Sequence, residues 1–351
     1  MVTGVQTCAL PICLLMFTIN KSVSVWEQLV QLPFLNLYSR LLNAAMELDV
    51  FSQLCQPVTA EALAAHMGWH KANTEYLLSA LVSIGFLNKT DGTYQNTEEV
   101  DRYLVKGKDE YLGGFLPFYM QEGMAPMDVK LLVTKVPQSQ QQEAMEQQLD
   151  FASFAQRMRQ AQEGYRQQEL LRIVRSLPEN DQIRRVLDLG GATGLLGLAV
   201  IGDRPDRTGV LFDRFPPAVV EESISLMGLT DRTEVMCGDF MTDRIGERYD
   251  LILALNVMLF AKGRMEELLK KCYDALNPGG VLLVISEAIL PDHTGPWDMV
   301  MGYLPYYFQG MDMGVLKNEV SDAAARVGFT KCEKRTECLC SGTQDIDIIR
   351  K

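Results

Sequence analysis

Histidine is scarce in this chain: only His66, His70 and His293 occur among 351 residues. The side chain most often used for acid–base work therefore has few places to stand. No apolar run approaches 18 residues, so no segment reads as membrane-spanning. Positive charge is also short. The 33 Lys and Arg against 45 Asp and Glu give a net charge of −12, which argues against nucleic acid or an anionic membrane as a partner. The one glycine-rich turn that follows an apolar strand, Gly190-Gly-Ala-Thr-Gly194, is not followed by Lys-Ser/Thr, which excludes a P-loop. It also lacks the glycines that a nicotinamide fingerprint wants where Ala192 and Leu195 stand.

The first residues are expected to be foreign to the fold. Val2 to Ile12 reads as a translated sequencing adapter, of the kind fused in frame in metagenomic assemblies. It has no periodicity, and its short apolar run lacks the basic flank of a secretion signal. Residues 1–13 are set aside as a leader, with Met16 a candidate start. Six further cysteines (Cys55, Cys237, Cys272, Cys332, Cys338 and Cys340) stand mostly in apolar surroundings and are expected as free thiols in a reducing cytoplasm. The length suggests two domains.

What is present is most informative from Arg185. Val186 to Leu189 runs into the glycine turn, an apolar helix from Leu195 follows, and Asp213 closes the next strand 25 residues after Asp188. Glycines there let the backbone approach a ligand, and a strand-end acid can accept hydrogen bonds from ribose hydroxyls. The spacing Asp188-x-Gly190-x-Ala192-x-Gly194 resembles motif I of class I S-adenosylmethionine-dependent methyltransferases, with alanine at the middle glycine.

Upstream, residues 23–56 read as helical, with more apolar surface (Leu29, Leu32, Leu35, Leu37, Leu41) than one packed face needs. Such a helix buries its second face against a partner chain. Thr59 caps a short helix, Gly68 turns, and Asn73 or Thr74 opens another from Glu75. Asp91-Gly92 between two short β runs marks a hairpin. Helix-turn-helix plus hairpin is a winged helix. A DNA-reading role is disfavoured, because the presumed recognition helix offers only Lys71 near its start and Glu75 opposes phosphate contact. Residues 103–175 read as several helices crowded with aromatics and methionines, among them Phe118, Met124, Phe154 and Met158. These are core residues or an adaptable apolar substrate wall, to which Met258 and Met301 are added. From Arg185 strands and helices alternate, predicting an α/β doubly wound sheet of seven strands that ends in an antiparallel pair. The expected partition is a winged-helix domain over 14–105, helical connector over 106–180 and a catalytic domain over 181–351.

Taken in order, these features resemble the caffeic acid and acetylserotonin O-methyltransferase-like family, a winged-helix dimerisation domain joined to a class I methyltransferase domain. The resemblance is carried by Thr59-Ala-Glu-Ala-Leu-Ala, Leu78-Ser-Ala-Leu-Val-Ser-Ile-Gly-Phe-Leu, Leu187-Asp-Leu-Gly-Gly-Ala-Thr-Gly194, Phe212-Asp213, Gly238-Asp239-Phe240 and Lys271-Cys-Tyr-Asp-Ala-Leu276. It implies S-adenosylmethionine as cofactor, a small-molecule acceptor and a homodimer. It also implies that Asp188, Gly190, Gly191 and Gly194 surround the methionine part, Asp213 holds the ribose, and Asp239 and Phe240 read the adenine, with Asn256 at the edge of that site.

The family's catalytic histidine is missing. Counting back from Cys272-Tyr-Asp-Ala-Leu276 places Met258 at the histidine and Phe260 at the neighbouring tryptophan, and a slip of one brings Leu259. Glu287 matches the carboxylate that flanks the base, whereas the second such position falls on Gly314, with Asp312 nearby. Glu287, His293 and Asp312 are thus the candidate acid–base residues. Alternatively the acceptor is already nucleophilic, since positioning against a sulfonium supplies most of the rate. Cys338-Leu-Cys340, with Cys332, offers a soft-metal site as an option, against the simpler reading of ordinary strand cysteines; no metal is expected. The leading expectation is a cytoplasmic methyltransferase acting on an apolar or aromatic acceptor, most readily at oxygen. Its rivals are a non-methylating relative that keeps the cofactor pocket and a cofactor-binding scaffold.

Overall fold

The computed structural model describes residues 24–117, 129–134, 151–308 and 310–351. The chain forms two compact units that meet in sequence at Gly113 and Gly114.

In the first unit, α1 (Val25–Glu47) leaves Trp26, Leu29, Phe34 and Leu37 exposed, while Ala45 and Val50 at and beyond its end are buried. α2 (Ala60–Met67) starts where expected, because Thr59 accepts a hydrogen bond from the Ala62 N–H, and left-handed Gly68 ends it. α3 (Lys71–Ser83) starts four residues before Glu75. The reason is His70, whose Nδ1 accepts from the Asn73 N–H and caps the helix in the manner of a serine or aspartate. The strands β1 (Val58–Thr59), β2 (Leu87–Thr90) and β3 (Thr93–Asn96) pair in the order β1-β3-β2, and α4 (Glu98–Leu104) follows. Asp91 and Gly92 both take positive φ, 49° and 80°, as the two-residue hairpin turn requires. This is a winged helix.

The second unit opens with α5 (Val129–Thr134), α6 (Phe151–Gln162) and α7 (Tyr165–Arg175). Its sheet contains β4 (Arg185–Leu189), β5 (Thr208–Asp213), β6 (Thr233–Cys237), β7 (Tyr249–Leu255), β8 (Leu276–Glu287), β9 (Lys331–Leu339) and β10 (Gly342–Arg350). Their order is β6-β5-β4-β7-β8-β10-β9; the first five run parallel and β10 is antiparallel to both neighbours. The intervening helices are α8 (Leu195–Gly202), α9 (Pro217–Leu226), α10 (Met265–Ala275), α11 (Trp297–Phe308) and α12 (Glu319–Val327).

The strands read as unbroken apolar runs because both faces are covered. Leu187, Phe212, Ile252 and Leu282 pack on one side with Leu268 and Ala324, and Val186, Leu211, Leu251 and Leu283 on the other with Leu170 and Leu198. β8 begins at Leu276, and its Asn277-Pro-Gly-Gly run is absorbed as a register shift opposite Tyr249 and Leu251. The strand order reverses at β4, between β5 and β7, and a crevice at such a switch point is where open α/β sheets bind ligands. Among the described residues no helix is long and apolar enough to cross a membrane.

A Cβ added to Gly92 would meet nothing within 4 Å, so its only need for glycine is the positive φ. Gly92→Ala is therefore expected to cost about 1 kcal/mol in urea denaturation, from backbone strain alone. No loss would mean that the turn relaxes to another type.

Candidate active site

The glycine turn is built from below. After β4, Gly190, Ala192 and Gly194 have φ of 71°, 55° and 78°. A Cβ on Gly190 would lie 2.5 Å from Val257 Cγ1, and one on Gly191 only 2.2 Å from Asp188 Oδ2. The glycines are thus needed for the chain's own packing. Ala192 holds the left-handed conformation without being glycine, at a strain on the order of 1 kcal/mol. Its N–H donates to Asp213 Oδ2 at 2.7 Å, which fixes it there.

Asp188, expected at the cofactor, is 1% exposed and lies beneath the turn, accepting the Gly197 N–H at 3.1 Å. Burial pushes its carboxyl up to about 7; the Gly197 bond works against this rise and the Asp213 charge adds to it. Asp188 supports the turn instead of facing the crevice.

Gln162 supports the same turn from outside and had no signal in the sequence. Its Nε2 donates to the Gly191 carbonyl at 3.0 Å and its Oε1 accepts from Thr193 Oγ1 at 2.6 Å.

Asp213, at the end of β5, is half-buried, and burial raises its pKa against the backbone N–H groups that it accepts. Ala192 and Phe215 each donate to one of its oxygens and the Arg214 N–H also bears on the carboxylate, which with four lone pairs can still accept from a ligand. Asp239 is half-buried and closes its own turn, with Oδ1 accepting from the Met241 N–H. Phe240 is nearly buried, its ring 3.5 Å from where a Cβ on Gly190 would sit. The ends of β4, β5, β6 and β7 therefore converge on one crevice.

Beyond β7 lies a buried polar group. Asn256 (φ 54°) donates its backbone N–H to the Ile285 carbonyl; its Nδ2 donates to Glu287 Oε1 and its Oδ1 accepts from Arg166, both at 3.5 Å. Asn256 is thus engaged with Glu287 and Arg166. Glu287, 1% exposed, also accepts from Tyr303 Oη at 2.5 Å, and its Oε2 is buried with no hydrogen-bond partner among the described residues. Burial raises the Glu287 pKa, and the Tyr303 hydrogen bond opposes the rise. Tyr307 is pushed up to about 12 by burial, with Asp312 and Glu287 adding to the effect.

The other acid–base expectations fare differently. Asp312 is exposed and paired with Lys262 at 2.6 Å, which spends its charge. His293 sits in an exposed loop at φ 55°, its ring edge-on to Tyr307 with centroids 5.3 Å apart. Met258 is fully buried in the core with Leu187, Val257 and Leu268, so it provides neither a base nor a substrate wall. Leu259 packs against the same core and Phe260 is exposed. Met158 is half-buried on α6, and Met301 is exposed on α11. Phe118, Met124 and the side chain of Phe154 lie outside the described residues. Tyr303, Tyr307 and Arg166 were missed. The run Tyr303-Leu-Pro-Tyr-Tyr307 soon after β8 was the available signal.

The soft-metal option fails on geometry. Cys338 is on β9 opposite Thr343, Cys332 pairs across from Ile349, and Cys340 lies in the turn donating its thiol to Glu169 Oε2 at 3.3 Å. Among the described residues no group of three His, Cys, Asp or Glu could hold a metal.

Comparison with known proteins matches the O-methyltransferase domain over residues 139–328 and the O-methyltransferase dimerisation domain over residues 30–106. The chain belongs to the O-methyltransferase family. It is an S-adenosylmethionine-dependent methyltransferase, and the non-methylating and scaffold readings receive no support. It is similar to 3-hydroxy-5-methyl-1-naphthoate 3-O-methyltransferase of Streptomyces sahachiroi, 26% identical over 267 residues, covering 74% of this chain and 76% of the relative. It is also similar to acetylserotonin O-methyltransferase of Rattus norvegicus, 27% identical over 318 residues and covering 85% and 71%. The structure of human N-acetylserotonin methyltransferase in complex with S-adenosylmethionine superposes with a TM-score of 0.67 at 21% identity, covering 95% of this chain and 99% of the other.

Asp188 makes stability depend on pH. In the folded chain its proton persists to about 7, and in the unfolded chain it is lost near ~4. The folded state alone holds that proton in between, so stability falls as pH rises through this window, by roughly 4 kcal/mol at most. Asp188→Asn is expected to flatten this fall in urea midpoints measured across the window. Equal slopes in the two proteins would show that Asp188 titrates normally.

Proposed function

We propose that the chain methylates a hydroxyl oxygen on a small, largely aromatic acceptor, as a homodimer formed through its first unit. The observation that carries this reading is the aromatic wall around Glu287. Tyr303 lies 5.9 Å from Tyr306 and 6.5 Å from Tyr307, ring centre to ring centre, on α11, and its hydroxyl bonds Glu287 at the carboxyl end of β8. Flat apolar rings pack well against such a wall. Both curated relatives described above carry names of enzymes that methylate hydroxylated aromatic compounds. The apolar row exposed on α1 (Trp26, Leu29, Phe34, Leu37) and the match to a dimerisation domain support the homodimer.

S-adenosylmethionine supplies an electrophilic methyl group on its sulfonium sulfur. The crevice at β4 suits it: Gly190, Gly191 and Gly194 keep the turn low, and the unused lone pairs of Asp213 suit the ribose hydroxyls. Phe240, with Asp239 beside it, offers an apolar face for the adenine. Asn256 and Glu287 are assigned to the acceptor side of this crevice, with Met158 and Met301 as candidates for an adaptable apolar wall.

Calorimetric titration with S-adenosylmethionine tests the cofactor assignment. Asp213→Ala is expected to weaken binding about 10- to 100-fold, the scale of one or two charge-assisted hydrogen bonds. Unchanged affinity in a folded variant would remove Asp213 from the site. A panel of hydroxynaphthoates and hydroxyindoles, run beside the matching amines, tests the acceptor atom; methylation of the amines alone would overturn the oxygen reading.

A further inference from the structure

The missing histidine poses a specific problem. A phenol has a pKa near ~10 and stays protonated at neutral pH, so its proton must leave as its oxygen is methylated. Met258 has no group to receive it and is buried in the core. We propose that Tyr303 and Glu287 act as a proton relay in its place, Tyr303 touching the acceptor hydroxyl and Glu287 receiving the proton. This rests on the oxygen-methylating reading above.

The placement follows from a chain of contacts. Val257 lies against Gly190 of the cofactor turn, Asn256 precedes it, and Asn256 donates to the same Glu287 oxygen that accepts from Tyr303. The relay thus stands at the ends of β7 and β8, beside the switch-point crevice. The separation of 2.5 Å between Tyr303 Oη and Glu287 Oε1 is that of a short O–H···O⁻ bond, the arrangement through which a proton moves with little rearrangement. Tyr303 is half-buried, so its hydroxyl can meet a ligand, whereas Glu287 is sealed from solvent.

The step balances. As the acceptor oxygen bonds to the methyl carbon, the C–S bond of the sulfonium breaks and its electron pair stays on sulfur. The acceptor O–H proton passes to Tyr303 Oη while the Tyr303 proton passes to Glu287 Oε1. Tyr303 ends as it began and Glu287 is left protonated; once product leaves, the relay runs in reverse, Tyr303 Oη giving its proton to water as it takes back the one on Glu287. Burial makes the Glu287 carboxylate a better proton acceptor than an exposed one. The other groups around it do not compete. Tyr307 holds its proton and Asp312 is paired with Lys262, while Arg166 bears on Glu287 through Asn256 and His293 reaches only the far edge of Tyr307.

Two variants that keep shape, Tyr303→Phe and Glu287→Gln, test the relay. Infrared difference spectra of the protein alone, between acid and alkaline solution, should show the C=O stretch of a buried carboxyl that disappears in Glu287→Gln and shifts in Tyr303→Phe. If the wild-type protein lacks such a band, the relay is overturned whatever the acceptor. The second arm compares 2-naphthol with 6-nitro-2-naphthol, at a pH where only the nitro compound is ionised. Both variants should lose on the order of 100-fold in kcat with 2-naphthol and little with the nitro compound, with calorimetric S-adenosylmethionine affinity unchanged. Equal losses on both acceptors, or none on either, would overturn the relay. If neither acceptor is methylated by the wild-type protein, the phenolic reading fails and the infrared arm still decides whether the two groups are coupled.

Discussion

The close fit of the Asp188 carboxyl under its own turn is the constraint on which the catalytic unit depends. Its Oδ2 occupies the space that a Cβ on Gly191 or Gly197 would need, so two glycines nine residues or fewer away are fixed by one buried acid. Gly197 in turn lets α8 lie close over β4, and all the apolar residues of α8 are buried. A carboxyl in that position has lost its water, which is why its proton affinity rises and why only one backbone N–H opposes the rise. The turn above it is then held on its other sides by Gln162 and Asp213. The crevice is therefore shaped before any ligand arrives, which lowers the ordering cost of binding.

Parallel strand order supplies the second half of the site. Because β4, β5, β6, β7 and β8 all point the same way, five strand ends are delivered to one edge of the sheet, where the glycine turn, Asp213, Asp239 with Phe240, Asn256 and Glu287 follow or end them. The sequence on either side of those ends can vary without disturbing the core. That freedom lets the glycine turn, Asp213 and Glu287 stand beside the apolar Val257 and Met258 that follow β7.

Much of this was legible before the fold was known, and the reasons are local. Asp91-Gly92 specifies a turn by φ alone, and Thr59 and Gly68 bracket a helix by hydrogen bonding within a few residues. The glycine turn and Asp213 are tied to strand ends that apolar runs announce. What escaped depends on contacts between distant positions. Gln162 meets Gly191 across 29 residues and Lys262 meets Asp312 across 50, so neither the support of the turn nor the spent charge of Asp312 could be read from neighbours. His70 was unreadable for another reason: its imidazole nitrogen does the work of a capping oxygen, an uncommon choice. Asp188 was assigned to the right place but to the wrong side of the backbone, since spacing does not say which way a strand-end side chain turns.

A histidine placed at position 258 would not act as a base. Met258 is enclosed by Leu187, Val257 and Leu268, and an imidazole placed there would lose its hydration with no partner to replace it. Burial lowers a histidine's pKa, so the ring would be a weaker proton acceptor than one in water. It would also be cut off from the acceptor, because the residue at this position is wholly buried. The buried apolar side chains of Val257 and Met258 therefore leave a base at these positions no open route to the crevice. A group on β8 or α11 is better placed to handle the acceptor proton: Glu287 is buried there, and Tyr303, bonded to it, is half-buried.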